Sequence, residues 1–230
     1  MKKTERHLSS RDRRILEFIA RYRIGTVELL AAHCFNSTSL ENVTRVMRRL
    51  ERRGLLRTVA AGSGYAYQTV TCQSLELLGL DPRAPRPLTE QTLPAMLAVA
   101  SYCVHHKTEL LTSQEFQDLY PELWRVGMRS SSYVLVEQEE KLRLQMLIVD
   151  RGGAIHRICA RIRRLIAQRK SLPKFLSLME SQRFQIVILV GTSEQQGKID
   201  RRIKSRPFEL ATVSTFLLPQ LAELLLVRRK

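Results

Sequence analysis

Apolar residues recur along this chain first with a helical period and later, past residue 130, in runs that suit strands. Ile15, Phe18, Ile19 and Tyr22 return every three or four positions behind Leu8-Ser9-Ser10-Arg11-Asp12, so a first helix opens with Ser9 or Ser10 as its N-cap and ends at Gly25. A second, short helix is predicted from about Thr26 to His33, burying Val27, Leu30 and Ala31. The capping residues Asn36-Ser37-Thr38-Ser39 announce a third, running to about Arg53. In that helix Leu40, Val43, Met47 and Leu50 form one apolar stripe. Asn42, Arg45, Arg49 and Arg52 fall on the opposite face, with Arg48 beside them. Gly54 supplies a C-cap, Leu55–Val59 reads as a strand, residues 61–64 as a turn, and Tyr65–Val70 as the returning strand.

Three short helices and a hairpin make a winged helix-turn-helix. The series Leu50-Glu51-Arg52-Arg53-Gly54-Leu55-Leu56 resembles the junction between recognition helix and wing in many bacterial DNA-binding proteins. Such a module lays its third helix in the major groove, where Asn42, Arg45, Arg48, Arg49 and Arg52 would face base edges or phosphates. Arg57, Ser63 and Tyr65 would set the wing on the adjacent backbone. The competing reading is a winged helix that dimerises or docks on protein.

Beyond a connecting helix over residues 71–80, the segment Asp81-Pro82-Arg83-Ala84-Pro85-Arg86-Pro87 has three prolines in seven residues. This stiff linker sets the expected organisation: a DNA-binding domain over 1–80, a linker over 81–88 and a second domain over 89–230. That domain should hold a helix over Leu93–His105, a strand near Glu109–Thr112 and two strands over Ser132–Val136 and Leu142–Val149. A long helix from Ala154 to about Lys170 and a buried, parallel strand over Phe184–Val190 follow. A polar helix, a strand near Leu210–Val213 and an apolar C-terminal helix close the chain.

Charge sharpens this outline. The 230 residues carry 38 Lys+Arg against 22 Asp+Glu, a net +16, and 29 of the basic residues are arginine. Residues 1–80 hold 14 basic and 7 acidic side chains (+7), residues 81–150 hold 7 and 10 (−3), and residues 151–206 hold 14 and 3 (+11). Two positive blocks around an acidic middle suggest two contact zones for a polyanion, most simply double-stranded DNA. A guanidinium grips phosphate or a guanine edge at two points, which lysine cannot do. No stretch reaches the length of a membrane span, and no apolar segment follows the basic start Met1-Lys2-Lys3, so no secretory signal is expected. Cys34, Cys72, Cys103 and Cys159 are too scattered for a zinc site and read as reduced thiols. The expected setting is the bacterial cytoplasm, at the nucleoid.

The order helix, three strands, helix, strand is the core of the restriction-endonuclease-like, or PD-(D/E)xK, fold. The chain is therefore expected to be α/β (α+β), a winged helix-turn-helix followed by such a domain. With Leu147-Ile148-Val149-Asp150-Arg151-Gly152 closing a strand, it resembles the replication-relaxation family of plasmids and mobile elements, itself similar to the MobC type of conjugative relaxase. In that family a motif close to l-E-v-D-r-G closes the third strand and a P-D dipeptide opens the preceding one. Here Ser131-Ser132 stands for the dipeptide and Ile148 for the glutamate; only Asp150, Arg151 and Gly152 remain. One carboxylate cannot cage Mg²⁺, unless Glu109, Glu115 or Asp118 has moved in. Asp150 instead suits a cap for the helix that starts near Gly153–Ala154.

What the resemblance then implies is a nuclease shape without its metal chemistry and without a cofactor. Arg157, Arg161 and Arg164 on the long helix, and Arg201 and Arg202 in the run Lys198–Arg206, would track the DNA backbone. The expected function is sequence-specific duplex binding by an accessory or regulatory factor of mobile-element transfer, replication or recombination. Two alternatives are a metal-dependent nicking endonuclease of relaxase type, with Asp150 as its weak catalytic candidate, and an adaptor. In the adaptor the apolar segment Phe216–Val227 would dock on a protein partner or a second copy of the chain. There is no P-loop, G-x-G-x-x-G or H-E-x-x-H. His105-His106 reads as surface or cap, and Tyr120 and Tyr133 read as packing rather than nucleophiles.

Overall fold

Ser9 opens α1 (Ser10–Tyr22), its hydroxyl accepting the Asp12 N–H at 3.1 Å. The computed structural model describes residues 8–35, 38–61, 65–83, 86–128, 131–138 and 141–226. The chain is mixed α and β and divides into two compact units, Met1–Met96 and Leu97–Lys230. In the first unit α1 is followed by α2 (Val27–Cys34) and α3 (Leu40–Arg52). The hairpin β1 (Leu56–Ala61) and β2 (Tyr65–Val70) pairs antiparallel from Leu56↔Val70 to Ala61↔Tyr65, and α4 (Cys72–Leu77) follows.

Three local expectations change here. The first helix does not run to Gly25: Arg23 closes it in the left-handed region, φ 60°, donating its N–H to the Ile19 carbonyl at 2.8 Å. Gly25 instead exchanges backbone hydrogen bonds of 2.9 Å with Gln68 of β2. A Cβ at Gly25 would lie 2.7 Å from the Ile19 side chain, so this close approach needs glycine. In α2 the buried positions are Leu29, Leu30 and Cys34, while Val27 and Ala31 are half-buried. Thr26 is the N-cap, accepting from the Leu29 N–H, and that start sets the phase of the inward face. Third, the proline-rich segment is not the division between units. Leu88 is buried and donates its N–H to the Tyr67 hydroxyl at 2.7 Å, and Arg23 reaches the Arg86 carbonyl at 2.7 Å. Those bonds hold the segment to the first unit, and the division falls later, inside α5 (Leu93–His106).

The second unit is built on a five-stranded sheet. After α5 come β3 (Leu110–Leu111), α6 (Ser113–Leu119), a 3₁₀ turn at Val126–Met128, β4 (Ser132–Gln138) and β5 (Lys141–Val149). Then follow α7 (Ile155–Lys170), α8 (Pro173–Glu180), β6 (Phe184–Val190), α9 (Ser193–Ser205), β7 (Thr212–Leu217) and α10 (Pro219–Leu226). Strand order equals chain order: β3, β4 and β5 are antiparallel, and β5, β6 and β7 are parallel. The continuous apolar run 184–190 is thus a parallel strand between two parallel neighbours, buried throughout except at Gln185. Leu144, Met146 and Ile148 of β5 join Phe184, Ile186 and Ile188 of β6 in one core with Ile158, Ile162 and Ile166 of α7 and Phe175 of α8.

Two elements differ from the sequence pattern. Helix α8 has no counterpart in it; Pro173 starts this helix at its first turn, where the missing N–H is harmless, and Phe175 and Met179 are buried from it. The last strand lies at Thr212–Leu217 rather than Leu210–Val213, because it pairs with β6 from Gln185↔Thr212 to Val190↔Leu217. Leu210 is left exposed at φ 64°. Among the described residues no helix is long and apolar enough to cross a membrane.

Candidate functional site

The first candidate site is the outer face of α3. Ser39 caps the helix, and its exit is closed twice: the Gly54 N–H reaches Glu51 and the Leu55 N–H reaches Leu50, with Gly54 at φ 71°. Leu50 and Leu55 are both fully buried, so the helix end is pinned against β1. Val43, Met47 and Leu50 carry the inward stripe. Leu40 departs from it: 52% exposed, this first residue of α3 lies outside the core it was expected to join. Asn42, Arg45, Arg48 and Arg52 are exposed. The acidic neighbour Glu51 turns to β1, where it accepts from the Thr58 N–H and hydroxyl at 3.0 and 2.7 Å. Arg45, Arg48 and Arg52 carry no ion pair among the described residues.

Arg49 does not belong to this outward set. Asp12 of α1 is buried, and its Oδ1 accepts from Arg49 Nη2 at 2.5 Å while Arg53 Nη1 stands 3.5 Å from Oδ2. Arg49 is thus a strut between α1 and α3, and its reassignment follows from a carboxylate 37 residues away in sequence. On the hairpin Arg57 is exposed and Tyr65 half-buried; Ser63 lies outside the described residues.

In the second unit Arg157, Arg161 and Arg164 project from α7 opposite its buried stripe, and all three are exposed. Partial desolvation of its stem side, with the like charge of Arg151, holds the exposed Arg161 guanidinium below the ordinary arginine value. On α9 Arg201 is exposed and Arg202 half-buried. Lys198 pairs with Glu194 one turn earlier, so the run over 198–206 presents less free charge than its composition suggests.

Asp150 is buried at the end of β5, but it does not cap α7. The N-cap position of that helix is Ala154, with no side-chain hydrogen bond. The Asp150 carboxylate accepts the Gly152 N–H at 3.2 Å, bracing the loop between β5 and α7, and its own N–H donates to Leu189 at 2.9 Å. The other carboxylates considered with it are engaged elsewhere. Glu115 forms a capping box with Thr112 at the start of α6, and Asp118 accepts from Gln114. No group of three or more His, Cys, Asp or Glu able to hold a metal occurs among the described residues.

Arg169 occupies the position sequence reasoning missed. It is fully buried, donating to the Tyr133 hydroxyl, to Ser131 Oγ at 3.0 Å and to the Leu165 carbonyl at 3.1 Å, with Phe175 5.7 Å beneath the guanidinium. Ser131, the residue before β4, is thus a partner of this arginine. Spacing from Ile162 and Ile166 places Arg169 on the apolar stripe, and that is the signal the sequence offers. Tyr133 itself is buried, stacked on Phe116 at 4.3 Å, and its burial pushes the phenol up. The C-terminal segment is also partly used inside its own unit: Phe216 packs on Tyr102 and on His105 and His106, and Leu218 and Leu221 are buried. Val227 lies outside the described residues. No protein-family model, no curated protein and no solved structure matches this chain.

Proposed function

We propose that this protein binds double-stranded DNA, reading sequence with α3. In this reading α1, α2, α3 and the β1–β2 hairpin are a winged helix-turn-helix, and the second unit is a restriction-endonuclease-like scaffold without the metal chemistry. The observation that carries the proposal is the outer face of α3: Asn42, Arg45, Arg48 and Arg52 are exposed together, with Glu51 turned to β1 and Glu41 the one acid of the helix on the same face. Three exposed guanidiniums and a carboxamide along one helix face suit guanine and adenine edges and the flanking phosphates. Arg57 on β1 suits a wing contact to the backbone. In the second unit the antiparallel β3–β4–β5 meander, the α7 crossover and the parallel β6 support the nuclease-like reading. Arg157, Arg161, Arg164 and Arg201 are its backbone-tracking residues, and Arg202, half-buried, borders them. A role as an accessory or regulatory factor of mobile-element transfer, replication or recombination extends the same reading.

The test is duplex binding by fluorescence anisotropy, on sites selected from random DNA, over a salt series. Affinity should fall by about a hundredfold between roughly 50 and 200 mM salt, as about four phosphate contacts require. An affinity indifferent to salt refutes the proposal. Mg²⁺- or Mn²⁺-dependent nicking of supercoiled plasmid that disappears in Asp150→Ala would replace the scaffold reading with the endonuclease one.

A further inference from the structure

A cavity of about 320 Å³ opens on the face of the second unit's sheet that carries α5, the face opposite α7. Its floor is polar where strand alternation leads one to expect Leu or Val. Gln145 on β5 pairs in register with Gln185 on β6, and Ser214 lies on β7 beside Val187. These side chains form a one-way ladder with α5. The Tyr102 hydroxyl donates to Gln145 Oε1 at 2.6 Å, Gln145 Nε2 to Gln185 Oε1 at 2.9 Å, and Gln185 Nε2 to Ser214 Oγ at 2.9 Å. Tyr102 and Gln145 are both buried, and burial pushes the Tyr102 phenol up to about 12, so it stays a donor.

The ladder does not use every hydrogen it holds. A carboxamide has two N–H groups, and Gln145 and Gln185 each donate one among the described residues; Ser214 accepts there but does not donate. The floor therefore retains two amide N–H groups, a hydroxyl proton and spare carbonyl lone pairs. With Gln145 buried and Gln185 and Ser214 half-buried, the floor favours a partner that answers donors and acceptors together. The wall is aromatic. His106 lies 4.2 Å from the Tyr102 ring and 5.0 Å from Phe216, which meets Tyr102 edge-on at 5.1 Å. Partial desolvation, with the charge of His105, lowers the His106 imidazole, which favours its neutral form. The one carboxylate among the described lining residues is Glu137, and no Lys or Arg lines the cavity there.

The geometry points to a binding site for one unpaired, uncharged nucleobase, stacked against the aromatic wall of His106 and Phe216 with its polar edge on the Gln145–Gln185–Ser214 ladder. A base edge sets donor and acceptor side by side as a carboxamide does, and an unpaired base stacks on aromatic side chains. The cavity is large enough for a base with its sugar, at the small end of ligand pockets. Glu137 accepts from exocyclic amines or sugar hydroxyls and repels phosphate. The occupant is thus a free nucleoside or a base turned out of a strand. The inference does not depend on the duplex-binding proposal, which the salt series tests separately.

The experiment is calorimetric titration of the full chain with adenosine, guanosine, cytidine and thymidine in turn, while the His106 ring resonances are followed by NMR. At least one nucleoside is expected to bind with Kd on the order of 10–100 μM and to shift His106. Phe216→Leu and Ser214→Ala, both at half-buried strand positions, are each expected to weaken that binding about tenfold, near the size of one stacking or hydrogen-bonding contact. The 5′-monophosphate of the bound nucleoside should bind about tenfold more weakly than the nucleoside. Displacement of the nucleoside by a single-stranded oligonucleotide identifies a strand base as the occupant; failure to displace identifies a free nucleoside. The inference is overturned if no nucleoside binds at about 1 mM. It is equally overturned if both variants bind like the parent, or if the monophosphate binds as tightly as the nucleoside.

Discussion

Helices α3 and α7 have nearly the same ingredients, a buried aliphatic stripe and a surplus of arginine, yet they treat their inward arginine in opposite ways. In α3 the inward arginine is Arg49, met by the buried carboxylate of Asp12 and left partly hydrated. In α7 it is Arg169, fully buried and surrounded only by neutral oxygens and rings among the described residues. The first is an ion pair at the edge of a core; the second is a cation inside one. Composition and net charge do not distinguish them. The teaching of the pair is that an arginine-rich helix is not a uniform basic surface: one residue in each is structural, and the outward ones alone are available to a partner.

Replacing the outward arginines should separate the two helices most. Arg45→Ala, Arg48→Ala and Arg52→Ala combined are expected to cut affinity for a selected DNA site about a thousandfold or more, since each arginine's hold on a base is worth about 1–3 kcal/mol, and to abolish preference over random DNA. Arg157→Ala, Arg161→Ala and Arg164→Ala combined should weaken all sequences alike and lower the salt slope by about 2–3. Anisotropy titrations on selected and scrambled duplexes measure both. Equal loss of preference in the two sets would break the comparison.

Stability should separate the inward pair. Arg169→Ala is expected to cost about 3–5 kcal/mol in urea unfolding, because it opens a cavity and strips the Tyr133 hydroxyl of its donor. Arg169→Met fills the same space but still leaves the Tyr133 hydroxyl without its donor, so it should cost less than Arg169→Ala, about 1–3 kcal/mol. For α3 the expectation is different: Asp12→Ala should cost about 2–4 kcal/mol, as Arg49 and Arg53 lose their carboxylate but keep access to water. Asp12→Ala leaving the midpoint unchanged would mean that the strut contributes nothing.

The smallest effects lie at the helix starts. Ser39→Ala should destabilise α3 by about 1 kcal/mol, and Ala154→Ser should stabilise α7 by a similar amount, because only α3 has a side-chain cap to lose. Thermal melts of the two single variants, moving in opposite directions, sharpen the contrast.

Period and punctuation make much of this legible in the sequence. The stripe Val43–Met47–Leu50, the Gly54 exit and the alternation over residues 65–70 are local, and they set α3 and the hairpin within a residue or two. The apolar run over 184–190, broken only by Gln185, marks β6 as an interior parallel strand, since a strand covered on both faces can be apolar on both. Short or polar elements escape: α8 has too few turns to display a period, and β7 takes its register from β6 rather than from its own residues.

What the linear pattern determined, then, was which segments form helices and strands and where positive charge accumulates, because those depend on neighbours three or four residues away. The tertiary structure decided which of the charges are available. Arg49 is withdrawn by Asp12, Arg169 by Tyr133 and Ser131, and Gln145 meets Gln185 only because two strands align in register. Partners 36 to 40 residues apart leave no periodic trace. Their pairing is fixed by packing, where burying a polar group without a partner costs more than local propensity can offset.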